Sequence, residues 1–130
     1  MPSGPPGNLA DLSQPIAVIK AELFKALAHP ARIRILEVLG EGERAVGEMQ
    51  PEVGIELSHL SQQLAVLRRA GLVSARKEGT SVIYAIKDPQ VTTLLAVAKL
   101  LLINSLAETQ DLLADLRAAT TTAATGRRGR

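Results

Sequence analysis

The apolar rhythm of this chain changes period at Gly71, and no other feature constrains the fold as much. Upstream, around SHLSQQLAVLRRAGLV (residues 58–73), Leu57, Leu60, Leu64 and Leu67 recur at helical spacing and fall on one narrow face. Downstream, LVSARKEGTSVIYAIK holds two β-type runs, Leu72 to Lys77 and Val82 to Lys87. They flank a Gly-containing connection from Glu78 to Ser81, which is a hairpin signal. A helix over Ser58 to Ala70, closed by Gly71, therefore runs straight into a β-hairpin.

The other elements follow from spacing and punctuation. Apolar residues keep helical spacing from Ile16 to Leu27, and His29-Pro30 breaks the run. Pro30 suits the first position of a new helix, where its missing N–H costs nothing. ARIRILEVL follows and stops at Gly40 and Gly42. A short helix is expected from Ala45 to Val53, with Gly54 as its end signal, and a last helix from Asp88-Pro89 to Leu116. The order is α-α-α-α-β-β-α, mainly α with a β-hairpin wing. Residues 1–14, opening with MPSGPPGN, read as a disordered arm. Residues 15–117 read as one domain, and 118–130 as a disordered tail with a basic tip.

Composition narrows the function classes. Phe24 and Tyr84 are the only aromatic residues in the chain of 130, so aliphatic side chains must fill the core. A small aliphatic domain gains from extra burial in a dimer. The absence of cysteine removes disulfides, thiolate metal sites and cysteine nucleophiles. There is no phosphate-binding glycine loop and no His–carboxylate constellation, so an enzyme is not expected. The N-terminus lacks a signal-peptide pattern, and the apolar run Leu100 to Ile103 is short against a membrane. A soluble cytoplasmic protein is the default reading. The formal net charge is only +2, so placement of the pairs Arg68-Arg69, Arg76-Lys77 and Arg127-Arg128 matters more than their sum.

Opposite the leucine stripe lie Ser58, Ser61, Gln62, Ala65 and Arg69. Small residues permit close approach to a major groove, Gln pairs with adenine edges, and Ser and Arg reach phosphates. Any surface helix has a polar face, and Ser58 is also a good N-cap. The reading therefore rests on this helix together with the preceding short helix, the Gly54 turn and the hairpin, which form a helix-turn-helix with a wing. The wing offers Arg76, Lys77 and Thr80 to a phosphate backbone. In the last helix, Val91, Leu94, Leu95, Ala98, Leu101, Leu102 and Leu106 form a stripe too broad for one small domain to cover. An isologous homodimer is expected, with Ile19, Leu23, Leu94, Leu95, Ala98, Leu101, Leu102 and Leu106 at its interface. A purely structural dimerisation module would leave the helix-turn-helix and wing unexplained.

Three segments, in order, resemble the ArsR/SmtB family of winged-helix repressors. They are FKALAHPARIRILEVL (24–39), SHLSQQLAVLRRAGLV (58–73) and RKEGTSVIYAI (76–86), and the resemblance spans roughly residues 15–117. It implies a symmetric dimer built from the first and last helices on double-stranded operator DNA, usually with repression released by a ligand. It also implies DNA contacts at Ser58, Ser61 and Gln62, with His59 beside them and Arg76, Lys77 and Thr80 in the wing. The family's sensor residues are missing. Ala45 and Gly47 stand where metal-sensing members carry cysteines, and the last helix has Asp88, Glu108, Asp111 and Asp115 but no His. Sulfide-sensing members need two cysteines. Of the two histidines, His29 reads as structural or capping and His59 as a DNA-face residue. No metal or other cofactor is expected; imidazole and carboxylate donors would suit nickel or zinc. A repressor of undefined effector is the main reading. The alternative is an activator or constitutive DNA-binding subunit whose signal, such as nickel, is sensed by a separate partner protein.

Overall fold

The computed structural model describes residues 9–128, with side-chain surroundings over 12–121. They divide into two compact units, the first ending at Thr92 and the second starting at Thr93.

The first unit carries α1 (Leu9–Leu27), α2 (Pro30–Gly40), β1 (Arg44–Ala45), α3 (Val46–Val53), α4 (Leu57–Arg69), β2 (Val73–Glu78) and β3 (Ser81–Ile86). Its core is aliphatic. Ile35, Leu36, Val38 and Leu39 of α2, Met49 of α3, Leu60, Leu64 and Leu67 of α4, and Leu72 and Val73 are buried, while the one Phe, Phe24, is exposed. Local chemistry sets the helix ends. Pro30 opens α2, and His29 caps it, its Nδ1 accepting from the Ala31 N–H at 3.1 Å. Gly54 ends α3 at φ +79, donating to the Gln50 carbonyl at 2.8 Å. Gly71 ends α4 at φ +77. Its N–H reaches the Arg68 carbonyl and the Leu72 N–H reaches the Leu67 carbonyl, both at 3.0 Å. This is a Schellman motif, and it turns the chain at once from helix to strand.

The sheet is antiparallel, in the order β1-β3-β2. β2 and β3 pair from Val73↔Ile86 to Glu78↔Ser81, leaving Gly79 and Thr80 as the connection. Gly79 has φ +65, the left-handed conformation that such tight hairpin turns favour. The third strand, β1, goes beyond the hairpin expected from the sequence. It adds Arg44↔Tyr84 and Ala45↔Ile83 on the other edge of β3. Two residues are too few to show an alternating pattern.

Two expected boundaries need correction. The arm assigned to residues 1–14 is helical from Leu9, because Leu9, Leu12, Ile16, Ile19 and Leu23 continue one helical spacing through Pro15. Residues 1–8 of that arm, and 129–130 of the tail, lie outside the described residues. The tail assigned to 118–130 continues α5 (Gln90–Arg128), since Ala118, Ala119, Ala123 and Ala124 favour helix and no glycine intervenes before Gly126.

The second unit is the body of α5. Asp88 tethers its start, one carboxylate oxygen accepting from the Gln90 N–H at 2.9 Å. From Val97 on, the large apolar residues lie open: Leu101 is 69% exposed, and Leu100, Leu102, Ile103 and Leu106 are half exposed or more. Leu100 to Ile103 is thus only part of a longer apolar stretch. Within Gln90–Thr121, α5 is long and apolar enough to cross a membrane by length and composition alone.

Candidate nucleic-acid interface

α4 divides sharply into two faces. Leu60, Leu64 and Leu67 have no solvent exposure. Ser58, Ser61, Gln62, Arg68 and Arg69 are exposed, and His59 and Ala65 are half-buried. The polar side chains expected at a groove are therefore brought together on one outward face. Two details differ from the sequence expectation. Leu57, spaced with the stripe, is 50% exposed, because it sits in the first turn beyond the edge of the core. Ser58 does not cap the helix; Glu56 holds the N-cap position, without a side-chain capping bond.

Gln63, not Leu57, completes the buried face. It stands three residues after Leu60, inside the stripe, and is 9% exposed. Its Oε1 accepts from Arg32 Nε of α2 at 2.8 Å, and Arg32 Nη1 donates to the Ala26 carbonyl of α1 at 3.3 Å. One guanidinium thus links three helices, and the polar group buried by α4 is satisfied. A glutamine at a leucine-stripe position was the available signal, but its partner lies 31 residues away.

Behind the outward face, Tyr84 of β3 joins Ala65, Arg68 and Arg69 around a shallow depression of about 460 Å³. Arg68 and Tyr84 were not assigned to the interface from the sequence. Lys77 and Thr80 of the wing are exposed. Arg76 is exposed too, but it is not an open cation. Its Nη1 and Nη2 meet the two oxygens of Glu43 at 2.7 and 2.8 Å, and Nη2 also meets Glu78 at 3.0 Å. Arg76 hydrogen bonding holds the Glu43 carboxyl below its ordinary value. Glu43 first, and Glu78 after it, raise the pKa of Arg76. Two carboxylates thus occupy the fork of Arg76, where the sequence reading expects a DNA phosphate.

The two histidines meet edge to face, with ring centroids 6.0 Å apart at 79°. His29 uses its Nδ1 lone pair for the Ala31 cap, so in the neutral ring Nε2 carries the proton. Ligating a metal through either nitrogen would disturb that cap. Among the described residues, no group of three or more His, Asp or Glu side chains converges to hold a metal ion. Of the residues assigned to a dimer interface, Ile19, Ala98, Leu101, Leu102 and Leu106 are exposed and Leu23, Leu94 and Leu95 are half-buried.

Comparison with known proteins gives a consistent result. A family described as a helix-turn-helix domain matches residues 27–75. An HTH-type transcriptional regulator of Mycobacterium tuberculosis, Rv0081, is 55% identical over 107 residues, covering 82% of this chain and 94% of the relative. Its crystal structure superposes with a TM-score of 0.67 at 56% identity, over 72% of this chain and 95% of that one. The homodimeric winged helix-turn-helix DNA-binding domain of Mycobacterium bovis Mb0332 has a TM-score of 0.67 at 34% identity, over 78% of this chain and 94% of that one. A biofilm growth-associated repressor of Agrobacterium fabrum is 41% identical over 75 residues, covering 58% of this chain and 64% of the relative.

Proposed function

The chain belongs to the ArsR/SmtB family of winged helix-turn-helix transcription regulators, and from that premise we propose that it binds an inverted-repeat operator as a homodimer and represses the overlapping promoter. It is a DNA-binding regulator and not an enzyme. The observation that carries the proposal is the division of α4, with Leu60, Leu64 and Leu67 fully enclosed and Ser58, Ser61, Gln62 and Arg69 outward beside the wing. Leucine anchoring keeps the polar face rigid, which base reading requires. Ser61 and Gln62 select bases, while Ser58, Arg68, Arg69, Lys77 and Thr80 bind phosphates.

The dimer reading rests on α5. Its exposed leucines need a cover, and a second copy would supply one through α1 and α5; the similar Mycobacterium bovis domain is a homodimer. We read α5 as a dimer helix and not a membrane span, and place the protein in the cytoplasm with its DNA. Lys99, Asn104 and Ser105 interrupt the apolar stretch and suit a protein interface better than lipid. We further read the chain as working without a resident metal, since it has no thiolate and His29 is committed to its cap. A dimer would present two α4 helices about 34 Å, or about 10 bp, apart. Fluorescence-anisotropy titration with promoter-proximal duplex and a scrambled duplex tests the proposal. Preference for the promoter duplex supports it; equal binding to both, or none, sinks it.

A further inference from the structure

We propose that Glu43 is an autoinhibitory residue of the wing: it occupies the Arg76 fork in place of a DNA phosphate and so lowers the sequence-independent grip of the wing on duplex DNA. The inference rests on the DNA-binding reading above. Three observations carry it. The contact is bidentate, at 2.7 and 2.8 Å, the same planar fork geometry with which an arginine grips a phosphate. Glu78 adds a second carboxylate at 3.0 Å, so the cluster of one cation and two anions has a net charge of −1. The pair also lies at the surface, with side-chain exposures of 50% and 52%, where a DNA phosphate would otherwise reach the guanidinium.

The placement explains how one carboxylate reaches the wing. Glu43 directly precedes β1, whose Ala45 pairs with Ile83 of β3, and Ile83 pairs in turn with Arg76 of β2. Arg76 and Glu78 share one face of β2, two residues apart. The short third strand thus brings an acid from outside the hairpin onto the wing's cation. Phosphate contacts raise affinity for all duplexes alike and carry no sequence information. Withholding one lowers binding to every duplex alike and leaves the choice of site to Ser61 and Gln62.

The test is a salt titration of the full chain on two probes, a duplex selected from a random pool by this protein and a mixed-sequence duplex of equal length. Five proteins are compared: wild type, Glu43→Gln, Arg76→Ala, the double variant, and Glu78→Gln as a second, weaker release of the same arginine. Glu43→Gln should tighten binding to both probes roughly two- to five-fold. It should steepen the slope of log affinity against log salt by about 0.9, one added phosphate contact. The ratio of selected to mixed-sequence affinity should stay unchanged, because a phosphate contact carries no sequence information. In the Arg76→Ala background the same substitution should leave the slope unchanged. An equal slope change in both backgrounds would make Glu43 a diffuse charge, and weaker binding by Glu43→Gln would make the pair a structural strut; either overturns the proposal. Absence of duplex binding by the wild type would overturn the DNA-binding reading as well, whereas wild-type binding unaffected by Glu43→Gln would overturn this inference alone.

Discussion

Three of the four leucines of α4 are covered by the chain that carries them, and most of those of α5 are not. In α4, a helix of 13 residues, Leu60, Leu64 and Leu67 are wholly buried and the remaining polar side of the helix is free for another molecule. In α5, 39 residues long, Leu100, Leu101, Leu102 and Leu106 are each more than half exposed. A narrow stripe can be satisfied by one small domain; a broad one calls for surface from outside. Fully covering a leucine contributes roughly 1.5–3 kcal/mol, so several of them provide ample driving force for association. The two helices are thus specialised oppositely, α4 exposing its polar chemistry and α5 its apolar surface.

The sharpest way to break this comparison is Leu102→Glu. A charge placed in the α5 interface should convert the dimer to monomer or aggregate and cost on the order of a hundredfold in operator affinity, as expected when an unpaired charge is buried. Light scattering that finds an intact dimer would remove α5 from the interface. The matching substitution in α4, Leu64→Ala, should act inside the unit. We expect a loss of about 2–5 kcal/mol in unfolding free energy. Urea melts at two protein concentrations would check that this loss does not depend on assembly.

Smaller effects sharpen the picture on α4 itself. Gln63→Leu strips Arg32 Nε of its acceptor and should cost about 1.5–3 kcal/mol of stability, read by thermal denaturation; a neutral result would mean that the three-helix link is dispensable. Its neighbour points outward, so Gln62→Ala should leave the melting temperature alone. It should weaken operator binding by about 1–3 kcal/mol while hardly touching scrambled duplex. Equal losses on both duplexes would reassign Gln62 to phosphate positioning. The smallest expected signal is calorimetric: nickel or zinc added to the protein should give no stoichiometric submicromolar binding, and a tight isotherm would direct attention to His29 and His59.

Local features carried most of the fold. The leucine spacing of α4, Pro30 after His29, the end signals Gly54 and Gly71 and the tight turn at Gly79 could be read from the chain because each depends on residues within a few positions of one another. For the same reason the outward set Ser58, Ser61, Gln62 and Arg69 was legible: a helical period assigns faces without knowing what packs against them. Tertiary structure alone decided the rest. It paired Gln63 with Arg32 across 31 residues and Arg76 with Glu43 across 33, and it added β1 to the hairpin. It also brought His29 against His59 and left Leu57 outside the core. Such partnerships depend on strand register and helix packing, which place distant residues side by side and leave no periodic trace in the chain. That is why the sequence by itself determined which residues face outward, while the fold decided which of those cations meets a carboxylate.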